Sequence, residues 1–331
     1  CRLKCKRNYK CLQMGIGEIN SESIRKARFR LCNVSGCMTE LLEIEAPNPT
    51  LHVLFIPGNP GIVTFYNDFL ESLYGLFGGN ASVTAIGHIS HSSKDWERGR
   101  LFSLQEQIDH KIDFIAHELK NSNTPVILVG HSIGSHISME IFRRVSRKVI
   151  YCIGLYPFLA LNKKSSKQTL IKKLAESNLL SSLVSSIVAM LGLIPSWSKF
   201  IVKKTLGNSW SATAVDAACS HLVKYHMMRN MLFMAKTEFQ TFSEAPDWEF
   251  LRAKQRQLAF LFGPDDHWGP LSLFEEISKQ TPDIHVSIEN EGHDHAFSCS
   301  KAGSIWVAQH VASLIKKHTA GHVVRNHNLG M

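Results

Sequence analysis

Pro125-Val-Ile-Leu-Val-Gly-His-Ser-Ile-Gly-Ser135 decides how this chain folds. Its first half, Pro125 to Val129, is a short unbroken apolar run bounded by turn residues, the pattern of a strand buried on both faces. Its second half is Gly130-His131-Ser132-Ile133-Gly134, followed at once by a helical pattern over Ser135 to Arg144. So tight a strand-to-helix turn needs flanking positions without side chains. It lifts the serine above the sheet, close to the N-terminus of the following helix. The segment predicts a nucleophile elbow with Ser132 at its apex.

Strand-like and helix-like segments alternate on both sides of this motif. Ala27 to Cys32 and Met38 to Ile44 read as short strands around the turn Ser35-Gly36, and Leu51 to Ile56 is an apolar run ending at Pro57-Gly58. A helix is expected over Phe65 to Phe77, a strand over Val83 to Gly87, and a helix over Leu104 to Lys120, where Leu104, Ile108, Ile112 and Ile115 share a face. Val149 to Leu155, Gln257 to Phe262 and Ile284 to Glu289 complete the strands, and Ala302 to Lys317 is the last helix. Such alternation predicts an α/β domain over 26–318, with a mainly parallel sheet covered on both faces. It breaks at about 157–250, where the pattern is helical throughout and predicts a cap insertion.

Within that insertion, Leu179 to Ile194 carries no charge but is shorter than the roughly 20 residues of a membrane-spanning helix. Leu180, Leu183, Val184, Ile187 and Leu191 fall on one face, and Ser181, Ser182, Ser185 and Ser186 on the other. Lys172, Lys173, Trp197, Lys199, Lys203 and Lys204 flank it. Two readings follow: a lid helix whose apolar face packs on the core, or a helix that enters a lipid interface.

Composition narrows the classes. The 331 residues are 44% hydrophobic and 20% charged, which excludes disorder over most of the chain; 37 basic against 28 acidic residues give a net charge of +9. The eight cysteines are dispersed with no Cys-x-x-Cys pair, so thiols in a reducing compartment are expected rather than a disulfide framework or a zinc site. Residues 1–10 are basic without an apolar core, which predicts no secretory signal; 1–25 is expected to be a disordered basic segment, Met14 a candidate start, and 319–331 a flexible tail.

A serine hydroxyl needs a base to take its proton and an acid to orient the base, and after an elbow these follow in the order acid, then histidine. Phe262-Gly-Pro-Asp-Asp-His-Trp268 follows a strand and offers Asp265 and Asp266 as the acid. Asn290-Glu-Gly-His-Asp-His-Ala-Phe297 follows the last strand and offers His293 and His295 as the base. The loop Pro57-Gly-Asn-Pro-Gly61 stands where an oxyanion hole forms. Pro60 has no N–H to give, and Asn59 and Ile133 are the expected donors. His131 is not a candidate for the base, since neighbouring side chains on an elbow point different ways, and His110 reads as structural. His88 and His91 are weaker candidates to line the site.

Taken together, Pro-Gly-Asn-Pro-Gly after a strand, the Gln107-Ile-Asp-His-Lys111 helix, Gly-His-Ser-Ile-Gly-Ser, Asp266-x-Trp268 and His295-Ala-Phe297 resemble the lipid-droplet-associated serine hydrolases. The resemblance runs from about 29 to 317 and is weakest in the helical insertion. It implies the α/β-hydrolase fold, Ser132 as nucleophile, Asp266 as acid and His295 as base. It also implies a site on the cytosolic face of lipid droplets and the endoplasmic reticulum, and activity on apolar esters such as sterol esters. The expected protein is therefore a serine ester hydrolase that works peripherally at a lipid surface. It needs no metal or other cofactor and binds no nucleic acid; its oligomeric state is not set by the sequence. Epoxide hydrolase or dehalogenase chemistry is disfavoured, because those members of the fold use Asp at the elbow. The rival reading is a lipid-droplet binding or morphology protein with a slow or vestigial triad.

Overall fold

Five successive strand segments are apolar at nearly every position, so they are stable only where helices cover both faces of a sheet. In the computed structural model they form the centre of an eight-stranded sheet. The structure describes residues 25–328 apart from 121–122, 194–198, 201, 203, 205–209 and 243–244, with the backbone alone over 321–328. The expected N-terminal segment, Trp197, Lys203 and residues 329–331 thus lie outside the described residues.

The strands are β1 (Arg28–Val34), β2 (Cys37–Ile44), β3 (Leu51–Ile56), β4 (Ala81–Ile86), β5 (Val126–His131), β6 (Val149–Leu155), β7 (Leu258–Phe262) and β8 (His285–Ile288). Their spatial order is β1-β2-β4-β3-β5-β6-β7-β8. The β1–β2 and β2–β4 pairs are antiparallel and the rest parallel. Central strands are buried along their length, whereas the edge strands β1 and β8 keep exposed or half-buried positions. The expected strands all appear, within about two residues of their limits.

The helices are α1 (Asn67–Leu76), α2 (Leu104–Glu118), α3 (Ile133–Arg144), α4 (Ser166–Glu176), α5 (Asn178–Gly192), α6 (Ala212–Ala217), α7 (Tyr225–Thr241), α8 (Trp248–Lys254), α9 (Leu271–Gln280) and α10 (Lys301–Asn328). Alternate residues of one strand feed two cores. Val53 and Phe55 of β3 pack in the layer of α1 and α10, and Leu54 and Ile56 in the layer of α2 and α3. The last helix was expected to end at Lys317 before a flexible tail from 319; its backbone instead stays helical to Asn328. Among the described residues Cys32, Cys37, Cys152, Cys219 and Cys299 are free thiols.

Between β6 and β7 the described residues carry helices and no strand. α4, α5, α6 and α7 form a cap, while α8 returns to the sheet layer, with Phe250 at 6.2 Å from Phe142 of α3. Of the two readings of 179–194, the lid helix whose apolar face packs on the core does not hold. Ser181 and Ser185 are the buried residues of α5, and Ser181 Oγ accepts from Arg229 of α7. Leu179, Leu180, Leu183, Ile187, Met190 and Leu191 face outward, Leu183 at 53% and Ile187 at 44% exposure. The polar face turns inward because α7 offers Arg229 there, and small serine side chains let the two helices approach.

Candidate active site

The sheet reverses its winding between β3 and β5. The carboxyl ends of strands at such a point open a crevice where ligands bind in folds of this kind. β5 delivers Ser132 there, with φ +55° and ψ −122°. A non-glycine residue held in that region costs on the order of 1–3 kcal/mol and persists only where its surroundings enforce it. Here they do. A Cβ at Gly130 would collide with the Gly134 carbonyl, and one at Gly134 with the Ile56 carbonyl of β3. Ser132 N–H donates to Leu155 O at 2.9 Å, and its carbonyl accepts from Ser135 N–H and Phe158 N–H at 3.0 and 3.2 Å. The elbow is thus fixed by glycine spacing and by β6, with α3 starting directly behind the serine.

The loop after β3 carries Asn59, one of the two expected oxyanion donors. Gly58 N–H donates to the Tyr66 hydroxyl at 3.2 Å, and Gly61 N–H to His91 Nδ1 at 2.8 Å. Pro60 has no N–H, so Asn59 is left as the backbone donor that no neighbour takes among the described residues. Ile133 is the first residue of α3, and its N–H has no partner within the helix. The Asn59 side chain is anchored on the cap: Nδ2 donates to Met231 O and to Glu238 Oε1, both at 3.0 Å.

Of the paired candidates, the structure brings one from each loop together. His295 Nδ1 is 3.0 Å from Asp266 Oδ2. The Asp266 side chain is 2% exposed and the His295 side chain 27%. The second Asp266 oxygen accepts from Trp268 N–H at 2.9 Å, which aims the carboxylate. The His295 ring lies 4.8 Å from that of His131, next to Ser132 on the elbow. Asp265 is exposed at the turn, and His293 stands toward Trp306, with ring centroids 5.9 Å apart. The histidine loop is shaped by Glu289, which sequence reasoning missed: its buried carboxylate accepts N–H groups from Glu291, Gly292 and His293 at 2.7, 3.1 and 2.9 Å. Only a lone glutamate at a strand end announces it in the sequence.

His88 and His91 do not line the crevice. Both are buried beneath the loop at Gly61, and burial holds their rings neutral, that of His91 down to about 3. His110 is likewise buried, bonded to Thr39 Oγ1 at 2.8 Å. Lys111 is fully buried and donates to Gly87 O and Gln107 Oε1 at 2.9 and 3.0 Å. Burial pushes its ammonium well down. The Gln107-to-Lys111 segment therefore props the loop after β4, which in turn supports the loop at Gly61. Among the described residues no group of three or more His, Cys, Asp or Glu is placed to hold a metal ion.

The sequence pattern of lipid-droplet associated hydrolases matches residues 49–298. The chain belongs to that family. Relatives carrying the name lipid droplet-associated hydrolase include one from Dictyostelium discoideum, 29% identical over 272 residues, 78% of this chain and 86% of that protein. Another is from Gallus gallus, 27% identical over 282 residues, 79% of this chain and 84% of that one. The structure is similar to the thioesterase domain from the curacin biosynthetic pathway, with a TM-score of 0.62, 15% identity, and coverage of 88% of this chain and 100% of that domain. It is also similar to the haloalkane dehalogenase DbeA-M1 loop variant from Bradyrhizobium elkanii, with a TM-score of 0.64, 14% identity, and coverage of 90% and 99%. At such identities the likeness carries the fold alone: this chain has the α/β-hydrolase fold, and it is a hydrolase by family.

Proposed function

We propose that the protein is a serine ester hydrolase acting on apolar esters, sterol esters among them, at the surface of lipid droplets and of the cytosolic face of the endoplasmic reticulum. The observation that carries the chemistry is the conjunction of Ser132 in its elbow with a His295–Asp266 pair at 3.0 Å on the neighbouring loops. With Nδ1–H given to the Asp266 carboxylate, His295 keeps Nε2 as the acceptor nitrogen that a general base needs. Ser132 Oγ attacks the ester carbonyl as its proton passes to His295. The tetrahedral oxyanion is held by the N–H groups of Asn59 and Ile133, with the helix dipole of α3 behind the second. Collapse expels the alcohol with the proton from His295 and leaves an acyl-enzyme, which water cleaves by the same route. Carboxylic ester hydrolysis by this scheme needs no cofactor.

The location is supported by the family name and by the outward face of α5. No single helix among the described residues is long and apolar enough to cross a membrane. An amphipathic helix with exposed Leu and Ile and nearby lysines is suited to lie in a lipid interface instead. Burying each such side chain is worth about 1.5–3 kcal/mol, and each lysine adds about 1 kcal/mol near an anionic surface.

Replacing Leu183 and Ile187 together by Asp is expected to reduce flotation with lipid droplets or liposomes more than tenfold, while hydrolysis of a small water-soluble ester survives. Unchanged flotation would remove α5 from the lipid contact. Retention of emulsified sterol or acyl ester hydrolysis by Ser132→Ala would overturn the catalytic reading.

A further inference from the structure

Helix α7 is the inner layer of the cap. It is fastened to the loops after β4 by His226 Nε2 to Ser92 O at 2.9 Å and by Asn230, which takes Phe102 N–H and gives to Arg100 O, both at 3.0 Å. Thr237 Oγ1 accepts from Leu104 N–H at 2.9 Å. Its outer side receives α5 through Arg229 and Ser181. Its inner side carries Glu238, a glutamate 3% exposed and, among the described residues, without a basic partner. Burial pushes this carboxyl up to about 8, against the opposing effect of its bond from Asn59.

A leucine of similar volume would fill the position without placing an unpaired carboxyl in an apolar setting. What the glutamate does in return is specific: it accepts from Asn59 Nδ2 at 3.0 Å. The second bond from Nδ2, to Met231 O at 3.0 Å, comes from the turns of α7 before it. Both fix the side chain of the residue whose backbone N–H is the remaining donor of its loop. Asn59 Oδ1 is buried and takes no bond among the described residues, so the Asn59 side chain is held through its nitrogen alone.

We propose that Glu238 is a positioning residue that holds the Asn59 N–H in place for the oxyanion, so that the hole is complete only when the cap helix α7 is seated. The inference rests on the serine-hydrolase reading given above. Glu238 touches no reacting atom; it acts through Asn59. A misplacement of about 1 Å in a donor is enough to lower turnover about 10²-fold.

The test compares Glu238→Leu, Glu238→Gln, Asn59→Ala and the Glu238→Leu/Asn59→Ala double variant on a water-soluble acyl ester. A trifluoromethyl ketone, whose tetrahedral adduct carries the oxyanion, is titrated in parallel. Glu238→Leu is expected to lower kcat about 10²-fold with KM within twofold, and to weaken the ketone by the same factor as kcat/KM. Glu238→Gln keeps an acceptor oxygen and should stay within about threefold of the parent protein. Asn59→Ala should cost at least as much as Glu238→Leu, since it also removes the bond to Met231 O, and the double variant should be no worse than Asn59→Ala, because that change already removes the Glu238 contact. The inference is overturned if Glu238→Leu or Asn59→Ala turns over within threefold of the parent protein, if Glu238→Gln loses as much as Glu238→Leu, or if the two losses multiply. Should Glu238→Leu fail to fold, Asn59→Ala alone decides by the same criteria. Full activity in Ser132→Ala would overturn the reading beneath the inference instead, and is measured in the same series.

Discussion

Ser132→Ala and His295→Ala are each expected to lower kcat for ester hydrolysis by about 10⁶, and Asp266→Asn by about 10⁴. In the proposed mechanism the losses differ because the serine and histidine each make or break a bond in the rate-limiting steps, whereas the aspartate only holds a tautomer and stabilises a charge. His293→Ala and Asp265→Asn should stay within about tenfold. His293 stands beside Trp306 rather than Asp266, and Asp265 lies exposed on its turn. The measurement is kcat on a soluble ester for all five variants, with circular dichroism to show that each is folded. If His293→Ala were the more damaging histidine change, the assignment within that loop would be wrong while the fold and reaction class stood. If removing Ser132 cost less than tenfold, the reaction would not run through a serine.

Acid should unfold the protein well above the pH at which its surface carboxylates titrate. His88, His91, His110 and His131 are buried and held neutral, chiefly by burial; Lys111 adds to this for the first three and His295 for the last. Their folded values lie below the unfolded value of 6.5, at about 3 for His91 and about 2 for His110. The unfolded chain therefore gains protons first as pH falls. Stability is complete above about pH 6.5 and is lost as pH drops from there toward the folded values. By pH 5 the His91 and His110 rings each contribute a loss of about 2 kcal/mol, a sizeable share of a typical net stability, and His88 and His131 act in the same direction. Urea midpoints of Glu238→Gln, in which the raised Glu238 carboxyl no longer offsets these rings, should fall in that order at pH 7.5, 6 and 5, with little change between pH 7.5 and 9 from these groups. A midpoint unchanged at pH 5 would mean that these rings are accessible to protons in the folded state.

The sheet was legible because its central strands are buried on both faces, so their residues had to be apolar at successive positions and to end at turn residues such as Pro57-Gly58. The elbow was legible for a related reason: the start of α3 leaves no room for a Cβ at Gly130, and β3 leaves none at Gly134. Helix α9 was not singled out, because its buried side is only Leu273 and Ile277 within ten residues. The two faces of α5 were visible in the spacing of leucines and serines, but which face turns inward depends on Arg229, about 50 residues along the chain. Likewise, only the family resemblance favoured Asp266 over Asp265 and His295 over His293; periodicity could not separate them, since an irregular loop has no period to set direction. The clamp of Glu289 on three N–H groups and the left-handed Gly292, φ +85°, set it instead. Tyr66, which accepts the Gly58 N–H, and Glu238, which accepts from Asn59 Nδ2, are single residues in helical segments of mixed polarity. Their meaning exists only in the packed structure.

The central claim is that Ser132 is a nucleophile activated by His295. The most direct measurement is to expose the folded protein to a fluorophosphonate probe and locate the adduct by peptide mass spectrometry. The account predicts a single phosphonylated peptide with the mass shift on Ser132, no labelling in Ser132→Ala, and labelling slowed by several orders of magnitude in His295→Ala. Absence of label from the folded protein, or an adduct on another residue with Ser132 untouched, would contradict it.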